Sequence, residues 1–177
     1  NSAVDPAQRR KSISSERTFF EDLVKDDDLE RRLIELTTSV GATLRQKGLR
    51  ARTITIKLRD HDFKTRQHSL TVSEPIESNA AIHDVSRGLL RELRAQRRVA
   101  ARMLGVGLSG LVAAAERHQL ALFDEVVTGE SDRDRSVSRA VDQLADRFGY
   151  GAVIPGRMVD AAPGRKNSAD GQDDNHK

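Results

Sequence analysis

The chain of 177 residues contains no cysteine, and aromatic side chains occupy only 3% of its positions. The lack of cysteine excludes a disulfide framework and thiolate metal sites, and it fits an intracellular protein. The scarcity of aromatic residues argues against recognition of single-stranded nucleic acid by base stacking. No apolar run approaches the roughly 18 residues of a membrane span, and no signal-peptide pattern opens the chain, so we expect no membrane association.

Groups arranged for catalysis or metal binding are also missing from the sequence. The histidines lie in different predicted elements without metal-ligand spacing; they are His61, His68, His83, His118 and His176. The carboxylates fall in a helix N-terminus, in turns and in the tail rather than in converging pairs. We therefore expect no cofactor and no metal in this chain, and no catalysis by this chain alone.

A glycine-rich run at residues 105–110, GVGLSG, formally matches the G-x-G-x-x-G fingerprint of dinucleotide-binding folds. The fingerprint requires a strand before its first glycine, a helix after its last and a second strand that ends at an acid. Here Gly105 and Gly107 fall inside a predicted strand, and Asp124, the acid at a suitable distance, follows no strand. We therefore expect no dinucleotide site.

Basic residues are concentrated in one part of the chain. The whole chain has 30 basic and 27 acidic residues, which gives a formal net charge of only +3. Between Thr43 and Ser69, however, eight basic residues stand against Asp60 and Asp62 alone. Such clustering is typical of a surface that binds a polyanion.

The most informative segment is residues 47–60, KGLRARTITIKLRD, which alternates apolar and polar residues from Ile54 onward. A period of two predicts a strand with one core face and one polar face. The polar face carries hydroxyl and cationic side chains, namely Thr53, Thr55, Lys57 and Arg59. This face either solubilises the strand or lies against a phosphate backbone.

Periodicity predicts six elements in the order strand, helix, strand, strand, helix, strand. The strands fall at residues 11–20, 47–60, 63–72 and 102–108. The first helix is capped by Asp26 or Asp27 and ends before Gly48, and the second begins at Pro75 with Ser78. Apolar stripes at helical spacing mark the two helices: Leu29, Leu33, Leu36, Val40 and Leu44; Ile82, Val85, Leu89 and Leu93.

This order predicts an α+β fold, a ferredoxin-like βαββαβ sandwich with two helices on one face of a four-stranded antiparallel sheet and the other face open. We place it at residues 11–111, after a linker from an upstream domain at residues 1–10, and the start at Asn1 favours an excerpt from a longer protein. Residues 128–160 should form a linker and a small amphipathic helix, and residues 161–177 a disordered tail. The apolar residues of that helix are Val137, Val141, Leu144 and Phe148.

Residues 112–127 contain a distinctive pentapeptide, QLALF at 119–123. One glutamine, two leucines and a phenylalanine are the composition of a linear motif that fills a hydrophobic groove on a partner. The composition fits equally well a last core strand or a helix end.

Four ordered blocks, KSISSERTFFEDL, LRQKGLRARTITIKLRDHDFKTRQHSL, RMLGVGLSGL and QLALF, resemble the little-finger domain of Y-family translesion DNA polymerases of the bacterial polymerase IV type. The resemblance implies a domain that grips duplex template-primer DNA by its phosphates. It also implies a separate catalytic core whose palm binds Mg²⁺; no palm, fingers or thumb sequence is present here. QLALF resembles the β sliding-clamp-binding motif of the family, although about fifty residues follow it here.

From the strand faces and the resemblance together we expect DNA contacts without base specificity. The expected DNA-binding residues are Lys11, Ser12, Ser14, Ser15, Arg17, Thr53, Thr55, Lys57, Arg59, Lys64, Arg66 and Arg102. The expected clamp-binding residues are Gln119, Leu120, Leu122 and Phe123. The resemblance also implies a bacterial, cytoplasmic, nucleoid-associated protein. A competing interpretation is a free-standing ferredoxin-like module that binds RNA or protein, which predicts exposed aromatic residues on the sheet.

Overall fold

The computed structural model describes residues 12–115 and 129–149. Its elements are, in chain order, β1 (Ser12–Leu23), α1 (Asp26–Gln46), β2 (Leu49–Asp60), β3 (Thr65–Ile76), α2 (Asn79–Gln96), β4 (Ala101–Ala113) and α3 (Asp132–Phe148). The four strands form one antiparallel sheet in the order β1-β4-β2-β3. The predicted α+β fold is therefore confirmed. Lys11, the 1–10 linker, the 119–123 motif and the 161–177 tail lie outside the described residues.

The sheet is built mostly from strands that are distant in sequence. Only β2 and β3 are neighbours both along the chain and in the sheet. β4, the last strand of the sandwich, inserts between β1 and β2 and pairs with both along most of its length. The sheet is therefore complete only when β4 is in place.

Helix α1 forms where the leucine spacing predicts it, and its apolar stripe is buried. Leu29, Leu33 and Leu44 are fully buried, and the helix ends before Gly48, whose φ of 62° lies in the left-handed region that glycine adopts readily. The predicted aspartate cap is wrong, because Lys25 occupies the N-cap position without a side-chain cap. The aspartates stand instead in the first turn, where the helix dipole favours negative charge.

Helix α2 begins at Asn79, and Ser78 caps it by accepting a hydrogen bond from the Ala81 amide at 3.2 Å, as predicted. Pro75, expected to open this helix, lies inside β3. β3 is an edge strand, and an edge strand tolerates a proline because one side of it has no neighbour that needs its amide hydrogen. The helical spacing alone could not place this boundary.

The core lies between the sheet and the helices α1 and α2. Each strand contributes alternate residues, and those from β2 and β4 are the most deeply buried. The residues without measurable exposure in these two strands include Ile54, Ile56, Leu58, Leu104 and Leu108. Because one face of the sheet is filled in this way, the opposite residues of every strand project from the other face.

Helix α3 packs on α1 and α2. It is amphipathic as predicted, but its polar side makes the contact. Asp142 binds Arg45 at 2.6 Å, and Ser138 accepts a hydrogen bond from the Asn79 amide at 2.9 Å. Of the apolar stripe, Leu144 and Phe148 are exposed, Phe148 by 64%, whereas Val137 and Val141 line a groove together with residues of α1 and α2. In residues 12–115 and 129–149 no helix is long and apolar enough to cross a membrane.

Candidate nucleic-acid interface

The open face of the sheet carries four consecutive rows of side chains, each row crossing all four strands. The strand register defines the rows, because directly paired residues project from the same face. From β1 to β3 the rows are Ser12, Ser109, Thr53 and Thr71; Ser14, Gly107, Thr55 and Ser69; Glu16, Gly105, Lys57 and Gln67; and Thr18, Met103, Arg59 and Thr65. Among these positions hydroxyl side chains are the commonest, and none is aromatic.

Hydrogen bonds connect neighbouring strands along this open face. The Thr53 and Thr71 hydroxyls are 2.9 Å apart, and those of Thr55 and Ser69 are 2.8 Å apart. Arg59 donates from Nε to the Thr65 hydroxyl at 3.0 Å. These contacts hold short polar groups in fixed positions on the open face. Among the described residues no helix covers this face.

The charge of the open face is small and positive. Its four rows contain two cations, Lys57 and Arg59, and one acid, Glu16. Lys57 donates to Glu16 across β4, with 3.0 Å between Nζ and Oε1. The face therefore combines many neutral hydroxyls with an excess of one positive charge.

The hairpin tip between β2 and β3 adds further cations beside the open face. Arg102, at the start of β4, stacks on the Phe63 ring with 4.7 Å between the guanidinium carbon and the ring centroid. Phe63 is 65% exposed, and the Lys64 side chain is also mostly exposed. The Arg97 guanidinium holds the pKa of Asp62 well below its ordinary value, so this acid stays charged and paired.

Three of the residues predicted to contact DNA lie on the helix side of the sheet and not on its open face. Ser15 pairs with Val106 and Arg17 with Leu104, and both partners are core residues, so Ser15 and Arg17 face the helices. Arg17 binds Glu35 of α1 at 2.7 Å. Because strand side chains alternate, Ser14 and Ser15 could never have shared a face.

Arg66 is the third of these residues, and it anchors the end of α2. It binds the fully buried carboxylate of Asp60 at 2.8 Å and donates to the carbonyl oxygens of Leu93 and Arg97. These carbonyls at a helix C-terminus otherwise need partners. We therefore leave Arg66, with Ser15 and Arg17, out of the interface.

The structure thus brings together Ser12, Ser14, Thr53, Thr55, Lys57 and Arg59 on the open face, with Lys64 and Arg102 at the adjoining hairpin tip. Lys11, Gln119, Leu120, Leu122 and Phe123 lie outside the described residues. Sequence reasoning missed the β3 and β4 members of the rows and two residues of β1, the acid Glu16 and Thr18. The alternation within 65–71, TRQHSLT, was the available signal for Thr65, Gln67, Ser69 and Thr71.

Residues 10–122 match the family model described as the impB/mucB/samB family C-terminal domain. The chain belongs to this family. The resemblance to Y-family polymerases inferred from the sequence is thereby confirmed, because DNA polymerases IV are among the relatives of this polymerase C-terminal domain.

Two such relatives show how much of a polymerase the domain represents. DNA polymerase IV of Caulobacter vibrioides is 36% identical over 156 residues, which cover 88% of this chain and 37% of that protein. DNA polymerase IV of Alkalilimnicola ehrlichii is 38% identical over 122 residues, which cover 68% of this chain and 34% of that protein. The chain therefore spans little more than a third of the curated relatives that it matches.

A solved structure with the same fold is a chimeric Y-family DNA polymerase, Dbh-Dpo4(243-245)-Dbh. It aligns with a TM-score of 0.54 and 20% sequence identity, over 60% of this chain and 30% of that one. At this identity the likeness concerns the fold alone. It agrees with the two-layer sandwich described above.

Proposed function

We propose that this domain holds duplex template-primer DNA for an error-prone, lesion-bypass polymerase, and that it does so through the open face. The observation that carries the proposal is the set of rows that place hydroxyls, Lys57 and Arg59 on an uncovered sheet. The membership of the polymerase family supports it. Backbone phosphates are the matching ligand, because hydroxyls donate to phosphate oxygens and cations neutralise them.

The same face is poorly suited to reading bases. Specific readout in the major groove needs long side chains with two donors or acceptors directed at one base. The rows contain one long amide, Gln67, and one guanidinium, Arg59, which is engaged by Thr65. A grip on phosphates alone suits a polymerase that moves over any sequence.

Titration of the chain with duplex DNA at several salt concentrations tests this proposal. Each neutralised phosphate contributes roughly 0.9 to the slope of log affinity against log salt concentration. The joint replacement of Lys57 and Arg59 by alanine should lower the slope by about 1 to 2, for any duplex sequence. Arg17→Ala removes a cation from the opposite face of the same sheet and should leave the slope unchanged. Equal slopes for both variants would exclude the open face as the DNA-binding surface.

We also propose that residues 119–123 tether the polymerase to the β sliding clamp. The proposal rests on the likeness of QLALF to the clamp-binding motif and on its position after β4, the last strand of the sandwich. Leu120, Leu122 and Phe123 would enter an apolar groove and Gln119 would hydrogen-bond its rim. Removal of a groove-filling aromatic costs about 2 kcal/mol or more, so Phe123→Ala should weaken clamp binding roughly 30-fold.

Calorimetric titration of the chain with the clamp, together with thermal melts, tests this proposal. The two measurements show whether residues 119–123 are a free binding motif or part of the folded core. Phe123→Ala should keep the melting temperature of the unmodified chain. Phe63→Ala is the matched control, because it removes an exposed phenylalanine outside the motif and should keep full clamp affinity. Unchanged affinity of Phe123→Ala, or loss of its folded state, would contradict the tethering proposal.

We further propose that catalysis, and the Mg²⁺ that it needs, belong to a separate catalytic core of the polymerase. In residues 12–115 and 129–149 no group of acids and histidines is placed to hold a metal ion. The chain should therefore not extend a primer when supplied with Mg²⁺ and nucleotides. Extension by a preparation free of other polymerases would contradict this. We also propose that the protein acts in the bacterial cytoplasm, at the nucleoid, because its proposed ligand is DNA.

A further inference from the structure

The open face carries a single acid in its four rows, and this acid contacts a cation that we assign to DNA binding. Glu16 of β1 reaches across β4 to Lys57 of β2, with 3.0 Å between Oε1 and Nζ. The two residues are 41 positions apart in the chain. The contact is therefore a product of the sheet and not of local sequence.

Gly105 of β4 makes this contact possible. It lies between Glu16 and Lys57 in the third row, and a Cβ at this position would stand only 2.8 Å from Cγ of Glu16. Any other residue here would collide with the side chain of Glu16. The three strands β1, β4 and β2 thus provide a channel in which the carboxylate approaches Lys57.

Neither partner is buried by the contact. The side chain of Glu16 is 44% exposed and that of Lys57 is 34% exposed, so both groups remain accessible to a ligand on the open face. A phosphate that approaches Lys57 must replace the carboxylate as its partner, and the freed carboxylate then repels the phosphates nearby. Both effects weaken the binding of DNA.

We propose that Glu16 is an attenuating residue of the DNA grip: it occupies Lys57 in the free domain and competes with phosphate for it. This inference rests on the proposed DNA-binding function. An attenuated grip suits a domain that must release and re-bind successive phosphates as the polymerase advances. The same chemistry would act on any polyanion, so duplex DNA is the probe that the test requires.

The test measures duplex DNA affinity against salt concentration for Glu16→Gln in the full chain. Release of one cation should steepen the slope of log affinity against log salt by up to about 0.9, so the affinity gain of the variant over the unmodified chain should be up to about eightfold larger at 0.1 M salt than at 1 M salt. Glu35→Gln is the matched control, because Glu35 binds Arg17 of β1 on the opposite face and its loss should leave affinity unchanged.

A double-mutant cycle with Lys57→Ala separates release of Lys57 from a general loss of negative charge. The gain from Glu16→Gln should shrink at least twofold when Lys57 is absent. Equal or weaker binding by Glu16→Gln, or a gain of the same size without Lys57, would overturn the inference. Binding that is absent in the unmodified chain and in every variant, with circular dichroism showing folded proteins, would overturn the proposed function as well.

Discussion

In the sandwich, the sheet meets α1 and α2 through apolar side chains, whereas α3 meets the same two helices through charged and hydrogen-bonding groups. The sandwich core consists of leucine, isoleucine and valine side chains with little or no exposure. The α3 contact is made by Asp142 with Arg45 and Arg139 with Glu77, and Glu130, just before α3, accepts from the amides of Glu77 and Ser78. The two regions therefore depend on different physical forces.

This difference shows that the amphipathic pattern of a helix does not decide which of its sides makes the contact. Leu144 and Phe148 of the apolar stripe of α3 are exposed, and Val137 is still 55% exposed where it lines a groove beside α1 and α2. Its polar side finds partners that already need pairing: the buried guanidinium of Arg45 and the amide of Asn79, the first residue of α2. We expect the sandwich to fold without α3, and α3 to depend on the sandwich.

The largest effect should come from a cavity in the core. Leu104 is fully buried in the central strand β4, and Leu104→Ala should destabilise the whole domain by about 2 to 5 kcal/mol. The midpoint of urea unfolding measures the loss. Leu144→Ala removes a leucine that is 42% exposed on α3 and should lower the free energy of unfolding by no more than about 0.5 kcal/mol. Similar shifts for both variants would refute the contrast between the two regions.

An intermediate effect should follow when the charged contact of α3 loses one partner. Arg45 is 5% exposed and binds both carboxylate oxygens of Asp142. Asp142→Ala leaves this buried cation without that partner, which costs at most about 3 kcal/mol because Asp142 itself is partly exposed. Native-state hydrogen exchange should show loss of protection in α3 while β4 stays protected.

Asp146→Asn is the control for that experiment, because it changes an exposed acid one turn further along α3. It should leave the exchange of both elements unchanged. If Asp142→Ala reduced protection in β4 as much as in α3, the helix would be an integral part of the sandwich, and the difference between the two regions would not hold.

The smallest effect concerns pH and the first turn of α3. Hydrogen bonds from Ser131 lower the pKa of Asp134, and Arg135 lowers the pKa of Asp132. A carboxyl with a lowered folded pKa stabilises the helix above its ordinary value of 3.8, and this stabilisation disappears as the pH falls below that value toward the folded pKa.

The amide signals of α3 should accordingly be constant from pH 7 to about pH 5 and should change below about pH 4, before those of the core strands. Ser131→Ala removes the cap and costs α3 about 1 kcal/mol of local stability, so it should also flatten this pH dependence. An α3 that keeps its protection at pH 3 in the unmodified chain would count against a role for these carboxylates.

Local patterns in the sequence were sufficient to predict most of the elements. The leucine repeat of α1, the alternation of β2, the Ser78 cap and the Gly48 stop depend on neighbours within a few residues, so they can be read without the fold. Fold class followed from the order of the elements. The resemblance to the polymerase family likewise rested on short ordered blocks.

Only the tertiary structure decided which side chains share a surface. The faces of Ser15, Arg17 and Arg66 depend on strand register, and a shift of one residue reverses the face. The contact of Lys57 with Glu16 spans 41 residues, and that of Arg45 with Asp142 spans 97. A sequence shows that a residue is charged, but its partner is chosen by the path of the chain, because Coulomb attraction acts only between groups that the fold has brought close.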